Sequence, residues 1–182
     1  LKVSNWKVRF HCTKALAQEG AEDAVDILKY KAKKDPVKKV RTGAIKALGE
    51  IGTKECFDFL RELFAKKQES LDIRQICCDI LIEKDLAASL DTIKKVMSES
   101  WDGPAYEFKI VDICAKKLST TESALLEEVF KRFLISPHMN IRIYGIRGAA
   151  LNQYAGLKEK IKEISEKDPV AMVKREALAA LT

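Results

Sequence analysis

Asp35-Pro36-Val37-Lys38-Lys39-Val40-Arg41-Thr42-Gly43-Ala44-Ile45-Lys46-Ala47-Leu48-Gly49-Glu50-Ile51-Gly52 is the stretch that decides the fold. Val37, Val40, Ala44, Ala47, Leu48 and Ile51 recur at steps of three and four and lay one apolar stripe along a helix. Asp35 before Pro36 predicts a helix start, with Asp as N-cap and Pro at the first helical position. Gly49 and Gly52 offer places for the helix to stop. Beyond them Phe57, Leu60, Leu63 and Phe64 predict a companion helix ending in Lys66-Lys67, where cations suit the negative helix terminus. The unit is therefore a pair of helices.

The unit recurs. An apolar-basic dipeptide stands at Val8-Arg9, Val40-Arg41, Ile73-Arg74, Phe108-Lys109, Ile141-Arg142 and Val173-Lys174, at spacings of 32, 33, 35, 33 and 32 residues. Three residues after each basic position sit Cys12, Ala44, Cys77, Asp112, Gly145 and Ala177, and seven after it sit Leu16, Leu48, Leu81, Lys116, Ala149 and Leu181. The fourth unit, with Asp112 and Lys116, fits worst. The alternation predicts eleven helices, six bearing the pair and five companions between them. Two helices of this length cannot bury an apolar face alone, so neighbouring units must stack into an all-α solenoid of about five to six two-helix repeats. We expect one domain over residues 1–182. Because the chain opens and closes on a pair-bearing helix without a companion, we expect a segment of a longer array.

The motif Asp35-Pro36-x-x-x-Val40-Arg41-x-x-Ala44-x-x-Ala47-Leu48-Gly49-x-Ile51-Gly52 resembles a HEAT repeat of the phycobilisome-lyase type, and Asp168-Pro169-x-x-x-Val173-Lys174-x-x-Ala177 repeats its first half. The resemblance implies a right-handed curved superhelix with the pair-bearing helices on the concave side. It also implies a role chiefly in binding other proteins, less often nucleic acid and seldom catalysis. In such repeats an Asp and an Arg six positions later belong to a ladder of hydrogen bonds through the stack. Asp35–Arg41 and Asp168–Lys174 keep that offset, whereas the other units hold Val3, Gln68, Gly103 and Ser136 there. The basic residues of the pair are accordingly expected to pack their stems between helices and donate to carbonyls or to a neighbouring repeat's carboxylate.

Composition narrows the function. The 182 residues are 47% hydrophobic and 33% charged, which excludes a disordered chain, and no apolar run approaches the ~18 residues of a membrane span. No membrane partner is expected. The five cysteines, Cys12, Cys56, Cys77, Cys78 and Cys114, are odd in number, lack Cys-x-x-Cys spacing and fall within apolar helical patterns. That speaks against a disulfide framework or a zinc site and for a reducing, cytoplasmic compartment.

Net charge is +6, and the pair-bearing helices carry the whole excess, although the six basic residues of the pairs account for most of it. A finer stripe runs two residues before and five after each of these, a spacing of seven that keeps both on one helix face. It reads Lys7 and Lys14, Lys39 and Lys46, Asp72 and Asp79, Glu107 and Cys114, Asn140 and Arg147, Met172 and Ala179. A nucleic-acid track should be basic along its length. This one turns acidic at the third repeat, and a sign-changing groove suits a protein partner, for which complementary charge fixes register. The candidate binding residues are Lys7, Lys14, Lys39, Lys46, Asp72, Asp79 and Arg147. Phe10, Ile110, Ile143 and Tyr144 stand beside the stripe as candidate apolar anchors.

Catalysis is not expected. The chain has two histidines, His11 and His138, no His-Glu dipeptide of the kind di-iron hydroxylases of this fold require, no glycine-rich phosphate loop and no nucleophile elbow. Trp101, Asp102, Tyr106 and Asp112 only loosely echo the alkylpurine glycosylases, and acidic residues nearby interrupt any basic cleft. The sequence thus predicts a non-catalytic, cofactor-free scaffold that binds a partner protein through an acidic segment. Nucleic-acid binding by the basic N-terminal repeats is the alternative.

Overall fold

The computed structural model describes residues 3–19 and 21–182. Among them eleven α-helices follow one another without a strand: α1 (Trp6–Gln18), α2 (Val25–Lys34), α3 (Lys38–Ile51), α4 (Lys54–Ala65), α5 (Leu71–Lys84), α6 (Leu86–Ser100), α7 (Ala105–Leu118), α8 (Glu127–Leu134), α9 (Met139–Leu151), α10 (Lys158–Lys167) and α11 (Ala171–Ala179). Odd-numbered helices carry the apolar-basic pair and even-numbered ones are the companions, as the periodicity predicts. Short 3-10 turns lead into α2, α8 and α10. Among the described residues no helix is long and apolar enough to cross a membrane.

The chain gathers into two compact units, Leu1–Val96 and Met97–Thr182, with the boundary inside α6. In the first, α1 packs on α3 and α3 on α5, so the pair-bearing helices form one layer, while α2 and α4 lie against them. Leu28, Ile45, Leu48, Leu60, Leu63, Phe64 and Ile73 close the space between the layers and are fully buried. In the second unit α7 packs on α9 and α9 on α11, with α8 and α10 as companions, around Ile110, Phe130 and Phe133. Each such side chain contributes roughly 1.5–3 kcal/mol through burial, which a lone helix pair has no means to collect.

The helix start at Asp35-Pro36 differs from the sequence expectation. Asp35 ends α2 in extended conformation, and α3 begins at Lys38 with Val37 as its N-cap. The carboxylate is drawn elsewhere. Asp35 Oδ1 accepts the Val37 N–H at 3.1 Å, and both of its oxygens accept from Arg9 of the preceding repeat, at 2.8 Å from Nε and 2.9 Å from Nη2. Arg9 Nη1 also donates to the carbonyls of Val3 and Ser4, at 2.9 and 2.7 Å. The second unit repeats the arrangement: Arg142 holds Asp168 at 2.7 and 2.9 Å and donates to the carbonyls of Ser136 and Pro137. The offset of six read from the sequence is thus the distance from an arginine to the carbonyl it caps, as in Arg41 to Asp35 O at 2.8 Å. The carboxylate itself reaches back 26 residues.

Hydrogen bonds from Arg9 outweigh the cost of burial and hold the Asp35 carboxyl at about 2. At Asp168 burial pushes the carboxyl up, but the bonds from Arg142 and the Val170 N–H more than offset it and the net displacement is downward. Both arginines are nearly buried, so the basic pairs at these positions are internal fastenings and not part of a basic surface.

Helices α8 and α9 meet closely. A Cβ on Gly145 would lie 2.8 Å from Phe133 Cβ and 3.1 Å from the Leu134 nitrogen, and one on Gly148 would lie 2.2 Å from the Phe130 ring. No disulfide joins the cysteines: Cys56, Cys77, Cys78 and Cys114 are buried and Cys12 is half-buried. Burial, with a smaller effect of Glu69, pushes the Cys77 thiol up to about 12. Because the thiolate is the reactive species, a thiol reagent added to the native protein should label Cys12 first, and the other four should react only on unfolding. Rapid labelling of more than one thiol, read by mass spectrometry, would contradict this burial.

Candidate functional site

Four of the candidate residues come together. Lys7 and Lys14 on α1, with Lys39 and Lys46 on α3, line a single cleft of about 710 Å³ within the first unit. The parallel stacking of the two repeats sets their register. Trp6 on α1 lies beside Lys39 on α3, and Phe10 lies against Gly43, where a Cβ would meet the Phe10 ring at 2.9 Å and Thr13 Oγ1 at 2.8 Å. Only a glycine lets α3 approach α1 so nearly. The lysines consequently occupy two levels, Lys7 with Lys39 and Lys14 with Lys46, separated on each helix by seven residues, or about 10.5 Å. Between and below them Thr13, Gly43 and Ala47 are buried and form a floor of small side chains.

All four lysines are exposed, and none takes part in an ion pair with a carboxylate among the described residues. Several other cations of this unit are paired with carboxylates, among them Lys29 with Glu55, Lys38 with Asp72, Lys54 with Asp58 and Lys84 with Glu50. Two of the cleft lysines instead rest on aromatic rings. Lys39 Nζ lies 5.5 Å from the Trp6 ring centre and Lys14 Nζ 5.8 Å from that of Phe10, where the negative ring face attracts an ammonium group. The ammonium groups are thereby positioned while their charge stays uncompensated.

The remaining candidates lie elsewhere. Asp72, exposed on α5, is engaged by Lys38, and Asp79 is half-buried on the same helix; neither lines the cleft. Arg147 belongs to the second unit and donates to Glu176 at 2.8 and 3.0 Å, a bond that holds the Glu176 carboxyl below its ordinary range. Of the apolar anchors, Phe10 lines the cleft and Tyr144 is half-exposed. Ile110 and Ile143 are buried in the core of the second unit and present nothing to a partner.

Sequence reasoning did not single out Trp6, His11, Thr13, Thr42 or Gly43 as cleft residues. The signal was present. Trp6, Phe10, Thr13, Lys14 and Ala17 follow steps of three and four, so the stripe through Lys7 and Lys14 has a neighbouring aromatic and small-residue stripe on the same helix.

Residues 1–78, which include the whole cleft, match the family model described as HEAT repeats. Residues 1–78 carry HEAT repeats. No curated protein matches it in sequence. Among solved structures, a chain from the complex of CpcE and CpcF of phycocyanin lyase from Nostoc sp. matches with a TM-score of 0.58 at 15% identity, over 99% of this chain and 72% of that one. At that identity the likeness is one of fold alone. An engineered protein matches with a TM-score of 0.47 at 14% identity, over 100% of this chain and 92% of that one.

Proposed function

We propose that this HEAT-repeat protein is a non-catalytic binding module that takes an acidic segment of a partner protein into the α1–α3 cleft. The observation that carries this reading is the gathering on one cleft of four lysines without a carboxylate partner among the described residues. Uncompensated like charges held close together on a folded surface repel one another, and an anionic partner relieves that repulsion. The chain of similar fold from Nostoc sp. is itself part of a complex of two proteins, which agrees with a role in protein binding. A binding role also fits the state of the hydroxyls and the carboxylate in the lining. Its hydroxyls are engaged locally, Thr13 to the Phe10 carbonyl at 2.7 Å and Thr42 to that of Lys39 at 3.1 Å. Its one carboxylate, Glu50, is held by Lys84 at 2.7 Å.

Nucleic acid is disfavoured by the same geometry. Bases bind such grooves by stacking on aromatic faces, and here Lys39 and Lys14 lie over the Trp6 and Phe10 rings. Labelled poly-glutamate and a labelled DNA duplex, titrated with the protein across a salt series, distinguish the two. We expect poly-glutamate to bind and the double variant Lys39→Glu, Lys46→Glu to weaken it by about tenfold or more, since reversal replaces attraction by repulsion at both levels. The circular dichroism spectrum should not change, because both side chains are exposed. Unchanged affinity in the double variant would remove the cleft as the site. Tight binding of the duplex alone, with a log–log salt slope near about −3.6 for four phosphate contacts, would replace the protein partner with nucleic acid.

A further inference from the structure

The spacing of the lysines says more about what fits between them. We propose that the cleft is built for an acidic amphipathic helix, with two carboxylates seven residues apart and apolar side chains between them. This inference rests on the reading of the cleft as a site for an acidic protein segment.

Lys7 and Lys39 make one cationic level, Lys14 and Lys46 the next, and the two levels are two helical turns apart, about 10.5 Å. A helix laid along the cleft repeats at the same rise, so carboxylates at positions i and i+7 fall on both levels and on one face. An extended segment does not match. At about 3.4 Å per residue its same-face side chains recur every 6.8 Å, and the nearest choices are about 6.8 and 13.6 Å, each more than 3 Å from the lysine spacing. Three residues of strand would span the gap but would point the second carboxylate away from the cleft.

Between the levels the surface changes character. Phe10, His11, Thr13, Thr42 and Gly43 lie there, and the Phe10 ring packed against Gly43 gives that stretch its apolar surface. On the incoming helix positions i+3 and i+4 project into that gap, so they are apolar. The cleft volume of about 710 Å³ suits the side chains of one helix face and not a whole helix. One turn beyond Lys14 and Lys46 the lining ends in Gln18 and Glu50. A third carboxylate at i+11 would meet Glu50, so the acidic pattern of the partner stops after the second level. Cation–π contact with Trp6 and Phe10 presets Lys39 and Lys14, which reduces the ordering cost of binding at each level.

The test uses the full chain and two synthetic peptides of identical composition, both helix-stabilised by a side-chain staple. One carries its two Glu residues seven apart with Leu at the third and fourth positions between, and the other carries them five apart, on divergent faces. Fluorescence anisotropy is expected to show the seven-spaced peptide binding about tenfold tighter. The double variant Lys39→Glu, Lys46→Glu is expected to abolish the difference. Equal affinity of the two peptides would overturn the helical register while leaving an acidic-segment site in place. Failure of both peptides and of poly-glutamate would overturn the site and the helix together.

Discussion

Asp35→Ala is expected to lower the stability of the protein by about 3 kcal/mol, because removing one partner of a buried ion pair strands the other. Asp35 is 2% exposed and Arg9 7%. In the variant the Arg9 guanidinium keeps its two carbonyl acceptors at Val3 and Ser4 but loses both carboxylate bonds. The loss also has a pH signature. The carboxyl is held at about 2 in the folded chain, below its ordinary value of 3.8. A depressed carboxyl stabilises fully above the unfolded value, and that contribution disappears as pH falls through the folded one. The difference between the native protein and Asp35→Ala should therefore be constant above about pH 5 and shrink by about 2 kcal/mol as pH falls towards 2. Urea unfolding at a series of pH values measures both quantities. A difference that stays flat down to pH 2 would mean that Asp35 is not bound to Arg9 as described. The double variant Arg9→Met, Asp35→Ala should be more stable than Asp35→Ala alone, since the stranded charge is gone.

Gly148→Val is expected to cost about 3 kcal/mol, through overpacking and not through loss of a contact. Substituting glycine within a helix ordinarily gains about 1 kcal/mol from reduced chain entropy. Here the added Cβ would stand 2.2 to 2.6 Å from three atoms of the Phe130 ring. The ring cannot swing aside. It is fully buried, with Phe133 at 5.9 Å and Tyr154 at 6.1 Å between ring centres. Helix α9 must draw back from α8, and the apolar contacts along that seam open with it. Shrinking the obstacle should relieve the strain. Phe130→Leu combined with Gly148→Ala is expected to be more stable than the sum of the two single changes implies. Trp101, buried against Phe133 at 6.1 Å, reports unfolding of this unit by its fluorescence. Native stability in Gly148→Val would show that the helices do not approach so closely.

Much of this was legible in the residues. A spacing near 33 residues was enough to place eleven helices and their alternation, because a stripe with steps of three and four is local information. The four cleft lysines were legible for the same reason, since residues seven apart share a face. That the arginines of the pairs donate to carbonyls or to a neighbouring repeat's carboxylate was legible too, but which carboxylate each one finds was not. The six-residue offset between Asp35 and Arg41 is visible in the sequence, yet the carboxylate binds Arg9, which becomes its neighbour only when the repeats stack. The helix start was misplaced at Asp35 by the same omission, because the sequence does not say that the side chain is already engaged. Asp72 carries the right charge at the right periodicity, but Lys38 reaches it from the neighbouring helix. Gly43 and Gly148 read as ordinary helix residues until a second helix is brought against them.

The reach of the Arg9–Asp35 fastening bears on how the chain is made. Its two ends are separated by only 26 residues, and α1 meets α3 and α3 meets α5 within a few tens of residues of chain. Nothing in that first unit waits for a distant strand to return. As a nascent chain leaves the ribosome, the fastening can close soon after Asp35 emerges, and each later helix pair finds its template already folded. The cleft, whose lining ends at Glu50, would be complete before α4 and the helices after it were synthesised. A partner able to recognise it could then engage the protein during translation.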